Sequence, residues 1–306
     1  MTLRTSSTTE FLTSYEGALD WIKQLGVEPN KNSRVNTYRK SIETFINVFI
    51  RKTTQVSEQE KQRIGSGLVN AFQEAHELVY VHGAFRGAPT PGIEERLKKV
   101  VDGPISYTEE KSTSSSNVGR NIGFELYIAA IVKNSGYSLD LSTITDLAFK
   151  VESTQFYLEC KRPENISGIE SNIKKANRQL KKRFSNSDAI PNKKGLLGIS
   201  FTRLFNPKGL IFQFENESHM HEMLQKEAAK MYATCKDIVG KLVDRRVLGW
   251  IGQISVPVIV LNKIADVSMY NYPIFVNITN ENEADHEFMN IIGRNIMETF
   301  QNTRQD

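Results

Sequence analysis

Cysteine is scarce in this chain: Cys160 and Cys235 are the only two in 306 residues. Two thiols so far apart make neither a disulfide framework nor a metal-ligand spacing, and a reducing cytoplasm is the simplest setting. No apolar run reaches the roughly 18 residues that a membrane helix needs, so no membrane partner is expected. The stretch Met1–Thr9 is polar and lacks the apolar core of a secretory signal. No internal repeat is apparent, which argues against a solenoid or propeller. Neither sign of charge dominates, with 39 Lys and Arg against 35 Asp and Glu. What is present is an ordinary globular composition, 39% hydrophobic and 24% charged, enough for one large domain or two smaller ones.

The N-terminal region, residues 1-111, reads as helical. Trp21, Ile22 and Leu25 sit in an amphipathic segment that stops at Gly26. Val35, Tyr38, Ile42, Phe45 and Phe49 follow a helical period. Ser57 and Glu60 suit a capping box for the next helix. Gly87, Pro89, Pro91 and Gly92 break the pattern before a further helix over Ile93 to Val101. This region carries no recognisable chemistry and is expected to pack against, or position, the rest.

A Ser-rich patch at Ser112–Ser116 marks the expected boundary to a second unit, residues 112-306. There the stripe Ile122, Leu126, Ala129 and Val132 predicts a helix. Tyr137 to Leu141, Leu147 to Val151 and Gln155 to Cys160 have strand length and composition. Ile166, Ile173, Ala176, Leu180 and Phe184 predict another amphipathic helix, and Gly195 to Leu204 a buried strand. A long helix is expected from Ser218 to Leu248. Two apolar runs, Ile251 to Leu261 and Pro273 to Ile278, suit strands added to the same sheet, and a closing helix covers Asp285 to Phe300.

Charge is concentrated in one place. From Lys161 to Lys194 there are ten basic residues against three acidic ones, a cluster able to neutralise phosphates or simply to solvate a helix face. Just before it, Glu159 and Lys161 stand two apart on a predicted strand, so both point to one face while Cys160 points to the other. Asp146 opens the preceding strand and approaches Glu159 if the two strands form a hairpin. Asp140, on the earlier possible strand, is the alternative carboxylate; the short spacing from Asp146 to Glu159 favours Asp146. Carboxylates beside an ammonium suit phosphodiester hydrolysis, since carboxylate oxygens hold a hard cation and a lysine can orient water or stabilise phosphate charge. The competing reading is an ion-pair cluster on an exposed edge strand; the apolar neighbours Leu147 to Phe149 and Phe156 to Leu158 speak for central strands. For Glu125, on the flank of its helix stripe, the competing reading is a boundary glutamate paired with a nearby base. A second Glu-x-Lys, Glu109-Glu-Lys111, lies in a polar loop and is set aside. His219 and His221 point in different directions on a helix and are expected at the surface.

The set resembles the PD-(D/E)XK nuclease superfamily over less than a third of the chain. Glu125 within Gly123-Phe-Glu-Leu, Asp146 within Thr145-Asp-Leu-Ala-Phe, and Glu159-Cys-Lys161 match its acidic helix residue, its strand-opening Asp and its Glu-x-Lys, with Thr145 in place of the frequent proline. The resemblance implies an α/β fold with a restriction-endonuclease-like αβββαβ core and mixed sheet, extended by C-terminal strands and helices and preceded by the helical region. It implies a Mg2+-dependent endonuclease, with Mn2+ substituting, acting on DNA in preference to RNA in restriction, phage defence or repair. Asp146, Glu159 and Glu125 would hold the metal and Lys161 would activate water. Gln179 matches a polar residue on the following helix, and Lys175, Arg178 and Lys182 would contact phosphates. A homodimer would suit double-strand cleavage. The alternatives are a nucleic-acid-binding subunit that keeps the fold without turnover, which predicts binding without cleavage, and a protein-interaction scaffold, which predicts no salt-sensitive DNA affinity.

Overall fold

The computed structural model describes residues 7–87, 89–105, 117–142, 146–185, 192–261, 267–281 and 284–302. Four helices come first: α1 (Thr8–Gln24), α2 (Arg34–Phe45), α3 (Glu58–Phe85) and α4 (Ile93–Val100). A π-helical turn, Ile46–Ile50, prolongs α2. Ser57 caps α3 by accepting from the Glu60 amide, but the Glu60 carboxylate pairs with Arg63, so only half of the expected capping box forms; Ser7 makes a complete capping box with Glu10 at α1. Next come α5 (Val118–Asn134), β1 (Leu139–Asp140), β2 (Leu147–Val151), β3 (Thr154–Lys161), α6 (Ile169–Ser185) and β4 (Lys193–Ser200). The chain continues through α7 (Thr202–Phe205), β5 (Phe212–Phe214), α8 (Glu217–Leu242), β6 (Val247–Val260), β7 (Ser268–Asn277) and α9 (Ala284–Asn302).

The seven strands form one mixed sheet. β1, β2 and β3 run as an antiparallel meander. β4 lies parallel to β3, and β6 parallel to β4. The long β6 pairs with β7 antiparallel along one edge, and along the other with β4 and then with the short β5. The protein is thus α/β with a mixed, open sheet. One face carries α5 and α9 with the N-terminal helices beyond, in a core continuous from Phe11 to Phe300. The other face carries α6 and α8. Buried between the sheet and the helical layer, α5 is apolar nearly all round. α6 instead shows one stripe, Ile169, Ile173, Ala176, Leu180 and Phe184, as an outer helix should. No helix among the described residues is long and apolar enough to cross a membrane.

Several boundaries differ from the sequence reading, and β6 and β7 begin at Val247 and Ser268, ahead of the apolar runs expected from Ile251 and Pro273. The strand expected to reach Leu204 ends at Ser200, and the helical turn α7 takes its last residues. The helix expected to reach Leu248 ends at Leu242, because Asp244 accepts from the Arg246 amide and side chain and turns the chain into β6. The three-residue β5 leaves too short a pattern to read. The boundary at Ser112–Ser116 and the segment Glu109–Lys111 lie outside the described residues. His219 is exposed as expected, whereas His221 is half-buried and bonds Tyr270 Oη through Nδ1 at 2.6 Å.

The helical layer contains a buried charge cluster. Arg120 at the start of α5 donates to Glu74 Oε1 (2.6 Å), Tyr38 Oη (3.0 Å), Pro104 O (2.9 Å) and Ile105 O (2.7 Å). Arg34 lies 3.4 Å from the other Glu74 oxygen. Glu77, one turn along α3, is buried, and burial followed by the Glu74 charge pushes its carboxyl up to about 8. A raised folded-state value means that Glu77 stabilises the fold below the unfolded value near 4.5, and that this contribution is lost as pH rises through about 8. Urea unfolding of the wild type should therefore show stability falling between pH 5.5 and 8.5. In Glu77→Gln that fall should shrink by about 3 kcal/mol; equal falls in both proteins would refute the assignment.

Candidate active site

The site is built at the C-terminal end of β3. The β2–β3 register pairs Leu147 with Leu158, and one step further sets Asp146 opposite Glu159. β3 is an interior strand, flanked by β2 and β4, so the edge-strand alternative does not apply. Glu159 and Lys161 pair with Leu197 and Ile199 of β4, whose side chains belong to the α6 face. Cys160 points into the opposite core, and a Cβ at Gly198 would lie 2.7 Å from its sulfur. Only glycine lets β4 lie this close beneath the thiol.

Asp146, Glu159 and Lys161 come together. Asp146 Oδ2 accepts from the Cys160 amide at 2.6 Å, which ties the first carboxylate to the backbone of the Glu-x-Lys strand. Lys161 Nζ donates to the Cys160 carbonyl at 2.7 Å and stands 3.6 Å from Glu159 Oε2 and 3.9 Å from Asp146 Oδ2. Glu159 is fully buried and neither oxygen has a hydrogen-bond partner. The ammonium is beyond hydrogen-bond length from it but close enough to act as a charge. Burial, then the Asp146 charge, pushes the Glu159 carboxyl up to about 7 against Lys161 and Arg183. A buried carboxylate left without donors is costly unless a cation reaches it.

Glu125 is placed differently. Its Oε2 accepts from Arg96 Nη1 at 2.7 Å, with both side chains largely buried. Burial and the Asp146 charge push it up to about 8, against Arg96 and Lys161. It therefore lies within electrostatic reach of the trio while paired to a base. Among the described residues no three Asp, Glu, His or Cys side chains gather as a ready metal cage. Asp140 caps its own turn, accepting from the Ser142 amide and hydroxyl at 2.9 and 2.6 Å, and takes no part.

On α6, Gln179 Oε1 is buried without a hydrogen-bond partner, and the Arg183 charge acts on Glu159. At about 100° per residue, Lys175 lies on the flank next to Gln179 and Arg183, with Arg178 and Lys182 at the outer apex. All three basic residues are exposed. Lys174, paired with Glu170, and Lys181, whose charge reaches Asp244, occupy the other flank. Sequence reasoning missed Arg183, which the basic run contained, and Arg96, which had no local signal. Compared with protein-family models, curated proteins and solved structures, the chain matches none, so the geometry and the residue pattern carry the functional reading.

Proposed function

We propose that this protein is a Mg2+-dependent nuclease, an endonuclease acting on DNA in preference to RNA. The observation that carries the reading is the Asp146–Glu159–Lys161 trio, with Glu159 fully buried, at the C-terminal end of a strand parallel to β4, where open α/β sheets hold their ligands. The order α5, β1, β2, β3, α6, β4 supports it, being the order of the PD-(D/E)XK core.

The donor set fits a hard cation. Mg2+ keeps much of its water shell and needs only one or two carboxylates, so Asp146 and Glu159 suffice without a full cage, with Glu125 in support. The unpartnered oxygens of Glu159 fit that role. A bound cation would polarise the phosphoryl oxygen and lower the pKa of a coordinated water, and Mn2+ should substitute. Lys161 orients the attacking water and stabilises charge developing on the phosphate. Gln179 offers a hydrogen bond from the facing helix, and Lys175, Arg178 and Lys182 hold backbone phosphates. A role in restriction, phage defence or repair would follow, and two copies would suit double-strand cleavage.

The test is cleavage of supercoiled plasmid and of labelled single- and double-stranded oligonucleotides with Mg2+, Mn2+ or EDTA. Metal-dependent cutting is expected. Salt-sensitive DNA binding without cutting would favour the binding subunit instead, and no binding at all the protein scaffold. Anisotropy titrations at several salt concentrations check these basic residues. Replacing Lys175, Arg178 and Lys182 together by alanine should weaken binding alike for every sequence and flatten the salt slope by about 3 units. An unchanged slope would place the nucleic acid elsewhere.

A further inference from the structure

Arg96 comes from the helical layer in which the sequence shows no chemistry, yet it reaches the site. Its Nη1 donates to Glu125 Oε2 at 2.7 Å and its Nε to the Leu141 carbonyl at 3.1 Å. One guanidinium thus ties the carboxylate on α5 to the segment that leads into Asp146. Its own helix is clamped at both ends. Gly92, the N-cap of α4, has φ +85°, and a Cβ there would lie 2.6 Å from Leu141 C and 2.7 Å from Ser142 N. At the other end, a Cβ at Gly119 of α5 would lie 2.7 Å from the Lys99 carbonyl and 2.5 Å from that of Asp102. So α4 lies directly on the backbone of both elements that Arg96 bridges, and its guanidinium has little freedom to leave.

We propose that Arg96 is a positioning residue: it acts through Glu125, holding that carboxylate at the edge of the Asp146–Glu159–Lys161 cluster so that it contributes to cation binding. The proposal rests on the cation-dependent reading of this site. The charges of Asp146 and Glu159 act on Glu125, and without a fixed counter-charge it would turn away from them. Arginine suits the task because its planar fork serves two acceptors at once, which a lysine ammonium on a flexible stem does not do in fixed geometry. The helical layer then completes the site as well as covering the sheet.

The experiment is Mn2+ binding, measured by titration calorimetry and by electron paramagnetic resonance of free Mn2+, for wild type, Arg96→Lys, Glu125→Gln and the double variant. Arg96→Lys keeps the charge and loses the fork. It should bind Mn2+ about tenfold more weakly, the usual cost of removing a group that orients a ligand. The double variant should bind no more weakly than Glu125→Gln alone. Wild-type affinity in Arg96→Lys, or losses that multiply in the double variant, would overturn the positioning role and leave the cation site standing. Should Arg96→Lys not fold, Glu125→Gln still decides, because wild-type affinity there removes the residue through which Arg96 acts. No Mn2+ binding by the wild type would overturn the cation site itself and this role with it.

Discussion

Replacing Lys161 with alanine should cut the rate of Mg2+-dependent cleavage about a hundred- to ten-thousandfold, the range that one positioned proton-transfer group contributes. Lys161 is the ammonium placed among Asp146, Glu159 and the Cys160 carbonyl. The nearby cations Arg96 and Arg183 are guanidinium groups, which stay protonated and cannot exchange a proton with water. DNA affinity should stay within a few-fold of wild type, because the exposed residues Lys175, Arg178 and Lys182 remain. Lys161→Arg tests whether charge alone is enough; its fork should restore little of the rate. Circular dichroism should show both variants folded. Alanine activity within tenfold of wild type would remove Lys161 from the mechanism.

The second large effect concerns stability. Arg120→Met should destabilise the fold by about 3–5 kcal/mol, the cost of removing one partner from a buried ion pair. Arg120 is 1% exposed and its guanidinium serves four acceptors on three segments of the helical layer. Burial pushes the Glu74 carboxyl up, and Arg120, Arg34 and Arg162 together overcome it, so that it lies below the ordinary range. Without Arg120, Glu74 keeps Arg34 at 3.4 Å as its contact, and the carbonyls of Pro104 and Ile105 lose a donor. Methionine fills much of the volume, which separates the charge effect from a cavity effect. Arg120→Met/Glu74→Gln should not recover the loss, since the buried Arg34, 3.4 Å from Glu74, then loses that carboxylate in turn. Urea unfolding decides: a loss under about 1 kcal/mol would show that the cluster is not an energetic centre of the fold.

Arg120 and Lys161 also differ in how far the sequence announces them. Glu159 and Lys161 were legible because a strand's period of two is local: two residues apart share a face whatever the chain does elsewhere. The stripe of α6 was legible for the same reason, from its spacing of three and four. Asp146 needed one further step, the hairpin, and the β2–β3 register supplies it. Gln179 lay on a readable helix, but which flank of α6 approaches the carboxylates depends on how that helix rests on the sheet. This is why Arg183, within the same basic run, was not separated from its neighbours.

Local pattern in the sequence by itself determined an α/β chain, the strands and helix that carry the candidate residues, and which of those residues share a face. Only the tertiary structure decided the sheet order, the place of β5, the extent of β4 and α8, and the partners of the buried charges. Arg96 and Glu125 stand 29 positions apart, and Arg120 and Glu74 stand 46 apart. Periodicity comes from the geometry of neighbouring residues, whereas an ion pair between distant segments depends on how whole elements pack, and that leaves no regular spacing in the sequence to read.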